Sequence, residues 1–458
     1  KHVETEDGSH IPVAICSYPI VSGWLQRDPW ILHFTTHTDR PSQIALPLET
    51  IGTVDMRRTL QGQGMMLHEK QLKLMGEFLV SWIDKLKEVQ KAVVSAAPFG
   101  WRVENGKIIG FTFGGYTWTP GDPIIAPPAD PIIANQYSPR GEIQKWLEAA
   151  KMITDQDRPD INAILASAFA SPLVRFTGHR GLMMSAYSID SGLGKSTVVK
   201  VAQAVWGDPT RGVQSLDDTE GSVMHKIGEI QALPLYWDEI KTEEDVRKLV
   251  RITFQIGQGK EKSRLSRAVK QRETGTWQTL LVTASNESLL DQVASYTKTT
   301  TAGIYRIFEF AVQKGTKGQI SISDATRMVA RLDDNFGNVG VEYAKWLGAN
   351  FGRIDSDMEK LQKELVRETG AANDERFWIG LMSSLLLGAT YANELGFTEI
   401  NIPDLKTFLL KVLGDMRNER KEQTVDLRDQ FNVVSILSQY LNQMRAQHTI
   451  YTNIVPLL

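Results

Sequence analysis

Cysteine is nearly absent: Cys16 stands alone among 458 residues. An intrachain disulfide is thereby excluded, and the chain fits a reducing compartment, the cytoplasm, with Cys16 as a small core residue rather than a nucleophile. No apolar run is long enough to span a bilayer. The nearest, 377–391, is broken by Gly380, Ser383 and Ser384 and reads as a buried helix, so no membrane partner is expected. A surplus of one charge sign is missing as well. The formal net charge is -3, so nothing global draws the protein to nucleic acid or anionic lipid, and any such attraction has to be local. His33 and His37 have metal-like spacing, but without cysteine or another histidine nearby they read as strand residues. The opening at Lys1, with neither methionine nor secretory signal, reads as a fragment whose upstream part is missing. What remains is a globular composition, 42% hydrophobic and 23% charged, with a length that suggests about three domains.

The chain is organised around residues 181–197, GLMMSAYSIDSGLGKST. An apolar run fits a buried strand, breaks into small residues, and is followed by a helical pattern over 198–206. That is a P-loop in its expected setting, and Ser191, Gly192, Leu193, Gly194, Lys195, Ser196 and Thr197 form its candidate nucleotide cradle. Glycines let backbone N–H groups close around phosphates, Lys195 reaches the β- and γ-phosphates, and the Ser196 hydroxyl takes a place on Mg²⁺. One position departs from the pattern: Ile189 stands where the first glycine belongs, and Gly192 inside the loop supplies flexibility instead. An ordinary strand–turn–helix that reads GKST by chance is the bland alternative.

Taken in order, 1–119 reads as a small α+β domain. It has short alternating segments between turn clusters, an amphipathic helix over 69–91, and a hairpin signal at Asn105-Gly106. Its aromatics Trp101, Phe111, Phe113, Tyr116 and Trp118 lack interleaved cations and read as that domain's core. Six prolines make 120–139 an extended linker. The P-loop ATPase domain spans 140–315, opening with helical patterns at 141–153 and 159–171. A mainly helical domain, 316–458, serves as lid or interface; its last two helical patterns are 404–417 and 429–444.

Within 140–315 the apolar run Leu233-Pro234-Leu235-Tyr236-Trp237 ends in Asp238-Glu239, the form of a Walker B strand: Asp238 holds the Mg²⁺ shell and Glu239 polarises the attacking water. A third strand, 279–284, ends at Ser285-Asn286-Glu287. Asn286 there is either a sensor for the γ-phosphate and lytic water or a cap opening the next helix. Residues 301–310 read as a strand carrying Arg306, a buried guanidinium that needs an anionic partner, one candidate being the γ-phosphate bound by a neighbouring subunit. Lys260, Lys262, Arg264, Arg267, Lys270 and Arg272 face a single acid, Glu261, between the Walker B and sensor strands. Such a run is usually a solvated face. Glycines before it and a tryptophan strand after it suggest a projecting hairpin that contacts nucleic acid.

P-loop, Asp-Glu strand, basic segment, Ser-Asn strand tip and arginine strand follow the order of superfamily 3 helicases, a branch of the AAA+ ATPases. More closely, the chain resembles replication helicases of phages and mobile elements, the family filed as domain of unknown function 927. The likeness extends over most of the chain: Phe99-Gly100-Trp101, Ala168 to Leu173 before the P-loop, Val205-Trp206-Gly207-Asp208-Pro209 after it, Trp237-Asp238-Glu239, and Ala302-Gly303 leading to Arg306. It implies an α/β P-loop NTPase core of AAA+ type. It also implies ATP and Mg²⁺ at Lys195, Ser196 and Asp238, Glu239 as base, Asn286 as sensor, and Arg306 as a finger acting on the next subunit. Many relatives carry another polar group where Asn286 stands.

The expected function is an ATP-dependent DNA helicase acting as a ring, a hexamer, on a single strand or fork during replication of a phage or mobile element in a bacterial cytoplasm. A primase, fused upstream or in trans, is a further partner. The rivals are an ATP-switched initiator or loader without unwinding activity and a monomeric small-molecule kinase, in which neither Arg306 nor the basic segment has a job.

Overall fold

Alternation of side chains sets one face of the first sheet inward. A computed structural model of the chain describes residues 2–4, 10–12, 20–27, 30–37, 41–89, 94–95, 97–190, 192–214, 218–238, 242–261, 275–296, 306–315 and 320–430. Strands β1 (His2–Glu4) and β2 (His10–Pro12) pair antiparallel, as do β3 (Ile20–Arg27), β4 (Ile31–His37) and β5 (Pro41–Pro47) in turn. Along β4, Leu32, Phe34 and Thr36 are buried while Ile31, His33 and Thr35 are half-buried, the period of two that a one-sided sheet requires. Helices α1 (Val54–Gly62) and α2 (Glu69–Val89) cover the inner face with Met56, Leu60, Met75, Leu79 and Ile83. The short β6 (Val94–Ser95) then joins β3 in parallel. His33 stacks on Trp24 with ring centroids 4.0 Å apart and shares a 2.7 Å hydrogen bond with Gln26.

The hairpin expected at Asn105-Gly106 is present, both residues having positive φ, and joins β7 (Gly100–Glu104) to β8 (Lys107–Phe113). With β9 (Tyr116–Trp118) and β10 (Ile124–Ile125) it forms a second antiparallel sheet. Its inward aromatics do not belong to the N-terminal core. Phe99, Trp101, Phe111 and Phe113 join the large cluster that also holds the P-loop strand; Trp101 Nε1 donates to Pro172 O at 2.7 Å, and Phe113 meets Trp206 edge-on at 5.0 Å. Tyr116 is exposed. The separation of cores therefore falls before β7, not at 119. Nor is 120–139 an extended linker throughout, since Pro131 opens α3 (Pro131–Gln136), Asp130 caps it, and Ile133 and Tyr137 are buried. Proline there starts a helix because position N1 needs no N–H partner.

Helices α4 (Ile143–Thr154) and α5 (Pro159–Ala170) lead into β11 (Gly181–Tyr187), and α6 (Lys195–Gln203) follows the P-loop. Next come α7 (Glu220–Ile230), β12 (Leu235–Asp238), α8 (Glu243–Gln258), β13 (Thr279–Ser285), α9 (Leu289–Tyr296) and β14 (Ile307–Ala311). The four strands form a parallel sheet in the order β12-β13-β11-β14, and Gln214 bridges in parallel to Trp237 on the outer side of β12. All seven residues of β13 are buried, as expected of a strand covered on both faces. The core is thus an α/β, P-loop NTPase-like fold. β14 is shorter than the strand expected over 301–310, of which 301–305 lie outside the described residues.

The remaining elements are α10 (Ile322–Leu332), α11 (Asn338–Thr369), α12 (Arg376–Glu394) and α13 (Ile402–Gln430). Helix α11 is interrupted only at Asn350 (φ -120, ψ 16). The buried helix expected over 377–391 is α12. Its serines are tolerated because Ser383 and Ser384 donate back to Ile379 O and Gly380 O. Among the described residues no helix is long and apolar enough to cross a membrane; the pattern at 429–444 lies almost wholly outside them.

One buried lysine makes stability depend on pH. Lys226 of α7 donates to Gly212 O at 2.9 Å and lies over the Tyr137 ring; burial pushes its pKa down from 10.5 to about 8, against the pull of Asp218 and Asp208. Between those values the unfolded chain holds a proton that the folded chain does not, so stability should rise with pH across the window. Urea unfolding of Lys226→Met at pH 8 and pH 10 should show a flatter dependence than the parent; an equal slope would mean that Lys226 titrates normally.

Candidate functional site

The P-loop leaves β11 at Ser188, whose N–H donates to Ser285 O at 3.2 Å and so ties the loop's start to the tip of β13. Gly192 (φ 79) and Gly194 (φ 94) hold left-handed backbone, and nothing lies near where a Cβ would stand at either; conformation, not crowding, demands glycine there. Ile189 is not among the positive-φ residues and is 88% exposed, so the departure from the pattern falls where the backbone makes no such demand. Gly194 caps α6, whose first amide groups have no partner inside the helix.

The Lys195 side chain is only 7% exposed. Its Nζ donates to Ser188 Oγ and lies 3.4 Å from Ser188 O; burial pulls its pKa down, with the Asp238 charge opposing. Ser196 Oγ donates to Asp238 Oδ1 at 3.1 Å. Register explains the convergence. Tyr187 is level with Ser285 and Asp238 with Ala284, and β13 lies between β11 and β12, so Asn286 emerges between the P-loop and Asp238. Gly192 to Thr197, Asp238 and Asn286 all line one cavity of about 470 Å³, within the range of small-molecule sites. Ile153 and Ile161 at the α4–α5 corner and Ile322 and Val329 of α10 add apolar lining, beside Gln156 and Arg158 of that corner and Thr326 of that helix. Ser191 and Glu239 lie outside the described residues.

Sequence reading passed over Arg158. Only 5% exposed, it donates to Leu193 O in the P-loop (3.0 Å), to Asp160 Oδ2 (2.9 Å) and to Gln313 O beyond β14 (2.5 Å), while Asp160 also accepts from Gln313 N. The signal was an arginine and an aspartate flanking Pro159, the helix-opening residue.

Arg306 is not brought to this cavity. Ile307 is level with Met183, so Arg306 precedes β14 at the end of the sheet away from the P-loop, some five strand residues or roughly 16 Å distant. It is half-buried rather than buried. Its guanidinium lies over Phe254 of α8 (5.5 Å) and Phe377 of α12 (5.3 Å), with no ion pair among the described residues. Arg376 also lies over the Phe377 ring (5.2 Å). His179, stacked on that ring, has its pKa lowered by burial, with its bond to Arg376 O opposing and the Arg376 and Arg306 charges adding to the fall.

Of the basic segment, exposed Lys260 is described, and it pairs antiparallel with Thr276; Glu261 N donates to Gly275 O (2.9 Å) and Trp277 N to Gly259 O (3.1 Å). These bonds join the two ends of the segment. Lys262, Arg264, Arg267, Lys270 and Arg272 lie outside the described residues.

Comparison with solved structures finds one described as "SCCmec type IV Cch - active helicase", 15% identical over 90% of this chain and 77% of that one, with a TM-score of 0.65; the likeness is one of fold. The apo structure of the "NrS-1 C terminal region" aligns over 83% of this chain and 88% of that one at 11% identity, with a TM-score of 0.31. No curated protein matches. A family model described as "Domain of unknown function (DUF927)" matches residues 26–274, more than half the sequence, and the chain belongs to that family.

Proposed function

We propose that this protein is an ATP-dependent DNA helicase of superfamily 3 and AAA+ type, with its ATP site in the P-loop cavity. The observation that carries the reading is the meeting of Lys195, the Ser196–Asp238 pair and Asn286 on one cavity wall. Cleaving a triphosphate needs positioning and charge stabilisation more than covalent chemistry, and these residue types supply both. Lys195 and the amide groups opening α6 hold phosphate oxygens. Two oxygens already in hydrogen-bond contact suit a hard cation, so Ser196 and Asp238 would hold Mg²⁺. When bound, that ion neutralises charge on the β- and γ-phosphate oxygens. Asn286 orients the attacking water, Glu239 takes its proton, and the apolar lining from Ile153, Ile161, Ile322 and Val329 receives the base.

Arg306 cannot reach the cavity of its own protomer, so its part in hydrolysis falls on a neighbour, which makes the working form a ring; we take the hexamer as its size. The cations around Arg306 favour an incoming anion. The basic segment contacts DNA in the channel and carries it as hydrolysis proceeds, with a primase acting alongside. The fold likeness to a structure described as an active helicase supports this reading over the kinase.

ATP-driven displacement of a labelled strand from a fork tests it: unwinding is expected, whereas ATP turnover without displacement would favour an initiator or loader. Charge reversal at Lys260, Lys262 and Arg264 should weaken DNA binding and flatten its salt dependence by about one unit per lost phosphate contact, with DNA-free ATPase largely kept. Unchanged DNA affinity in that variant would remove the segment from the DNA path.

A further inference from the structure

A deeply buried carboxylate near the cavity has no place in the chemistry above. Glu309 lies in the middle of β14, 6% exposed and level with Ser185 of β11. Oε1 accepts from Ser185 Oγ (2.7 Å) and Leu289 N (2.8 Å); Oε2 accepts from Ser288 Oγ (2.5 Å) and Leu290 N (3.2 Å). Burial pushes the pKa up, and the four donors oppose it. Ser288 Oγ in turn accepts from Asp291 N, so carboxylate and hydroxyl together hold the start of α9.

What those bonds fix is the turn in front of α9. Two residues, Asn286 and Glu287, separate the end of β13 from Ser288. The turn is pinned on its other side by Ser285, whose carbonyl accepts from Ser188 N and whose Oγ donates to Glu287 O at 2.6 Å. Ser188 is the partner of Lys195. A loop holding one amide against a γ-phosphate must keep it within a fraction of an ångström, and a misplacement of about 1 Å can cost a hundredfold in rate. A carboxylate accepting four bonds from two segments, β11 and residues 288–290, gives that rigidity where a neutral group could not, because an amide in its place would turn N–H groups toward donors.

We propose that Glu309 is a positioning residue for ATP hydrolysis: by clamping Ser288 and the first amides of α9 it sets the turn that presents Asn286 to the cavity, and it ties that turn to the strand that follows Arg306. The inference rests on the P-loop cavity being the ATP site.

Steady-state ATPase of the full chain with DNA tests it. Glu309→Gln should lower kcat about ten- to a hundredfold while KM for ATP moves less than about threefold, since Lys195, Ser196 and Asp238 are untouched. The decisive readout is the pair with Asn286→Ala. Once Asn286 is gone, adding Glu309→Gln should lower kcat no further, whereas multiplying effects would mean that Glu309 only supports the fold and would overturn the proposal. Should Glu309→Gln fail to fold, Ser288→Ala removes one of the four bonds and should give a smaller fall in kcat, again absent on the Asn286→Ala background; normal kcat in it overturns the proposal. Wild-type protein without ATPase would remove the parent reading and this one together, but an active wild type with an unimpaired Glu309→Gln removes this one alone.

Discussion

Lys195→Ala is expected to stop ATP turnover, by a hundred- to a thousandfold or more, in a chain that remains folded and unfolds at no lower temperature. The first half follows from position. Lys195 lies in the wall beside the Ser196–Asp238 pair, and removing it would leave the phosphate charge of the proposed ligand to backbone dipoles, to Lys200 and Arg158 of the same lining, and to any cation the pair would hold. The second half follows from burial. Lys195 is buried, its pKa is lowered by desolvation with the Asp238 charge opposing, and among the described residues its hydrogen bonds go to Ser188. A charge held in that way destabilises the ligand-free protein, so alanine removes a strain as well as a function. ATPase rates and thermal unfolding of the purified variant check both halves. Turnover at the parent rate would move the ATP site away from the P-loop, and a large fall in unfolding temperature would show that Lys195 carries the loop's structure.

Arg306→Ala should lower ATPase about a thousandfold or more, the range of an arginine that reaches another protein's nucleotide, while ATP affinity stays near that of the parent. Its distance from its own cavity is the reason for the second clause. Mixing the two inactive proteins gives the sharper result. A seam with the P-loop of an Arg306→Ala protomer and the arginine of a Lys195→Ala protomer is complete, so equal mixing should restore about a quarter of the seams if rings assemble at random. Alanine also removes the stacking on Phe254 and Phe377, worth about 1 kcal/mol. Arg306→Lys keeps a cation over those rings but loses the planar fork, and should therefore keep stability and still lose turnover. Verified mixed rings with no recovered activity would confine Arg306 to a structural role.

Sequence reading did best where chemistry is written in consecutive residues. The strand, glycines and helix of 181–203, the Asp238 strand tip and the Asn286 strand tip are local patterns, because a buried parallel strand has to be a continuous apolar run and a phosphate-binding turn has to interrupt it with residues that tolerate positive φ. It did less well where partners are distant. Trp101 and Phe111 looked like the core of their own neighbourhood, yet they pack on Phe176 and Trp206, 75 and 95 residues away in the chain.

By itself, then, the sequence determined the P-loop, its companion strand tips and the parallel α/β class, since periodicity and turn chemistry are properties of adjacent residues. Only the tertiary structure decided that Asn286 emerges between Lys195 and Asp238, that Arg158 grips Leu193 O, that Glu309 clamps the turn ahead of α9, and that Arg306 stands at the far end of its own sheet. Strand order and register set those distances, and both arise from how separate faces bury one another, which no window of neighbouring residues contains.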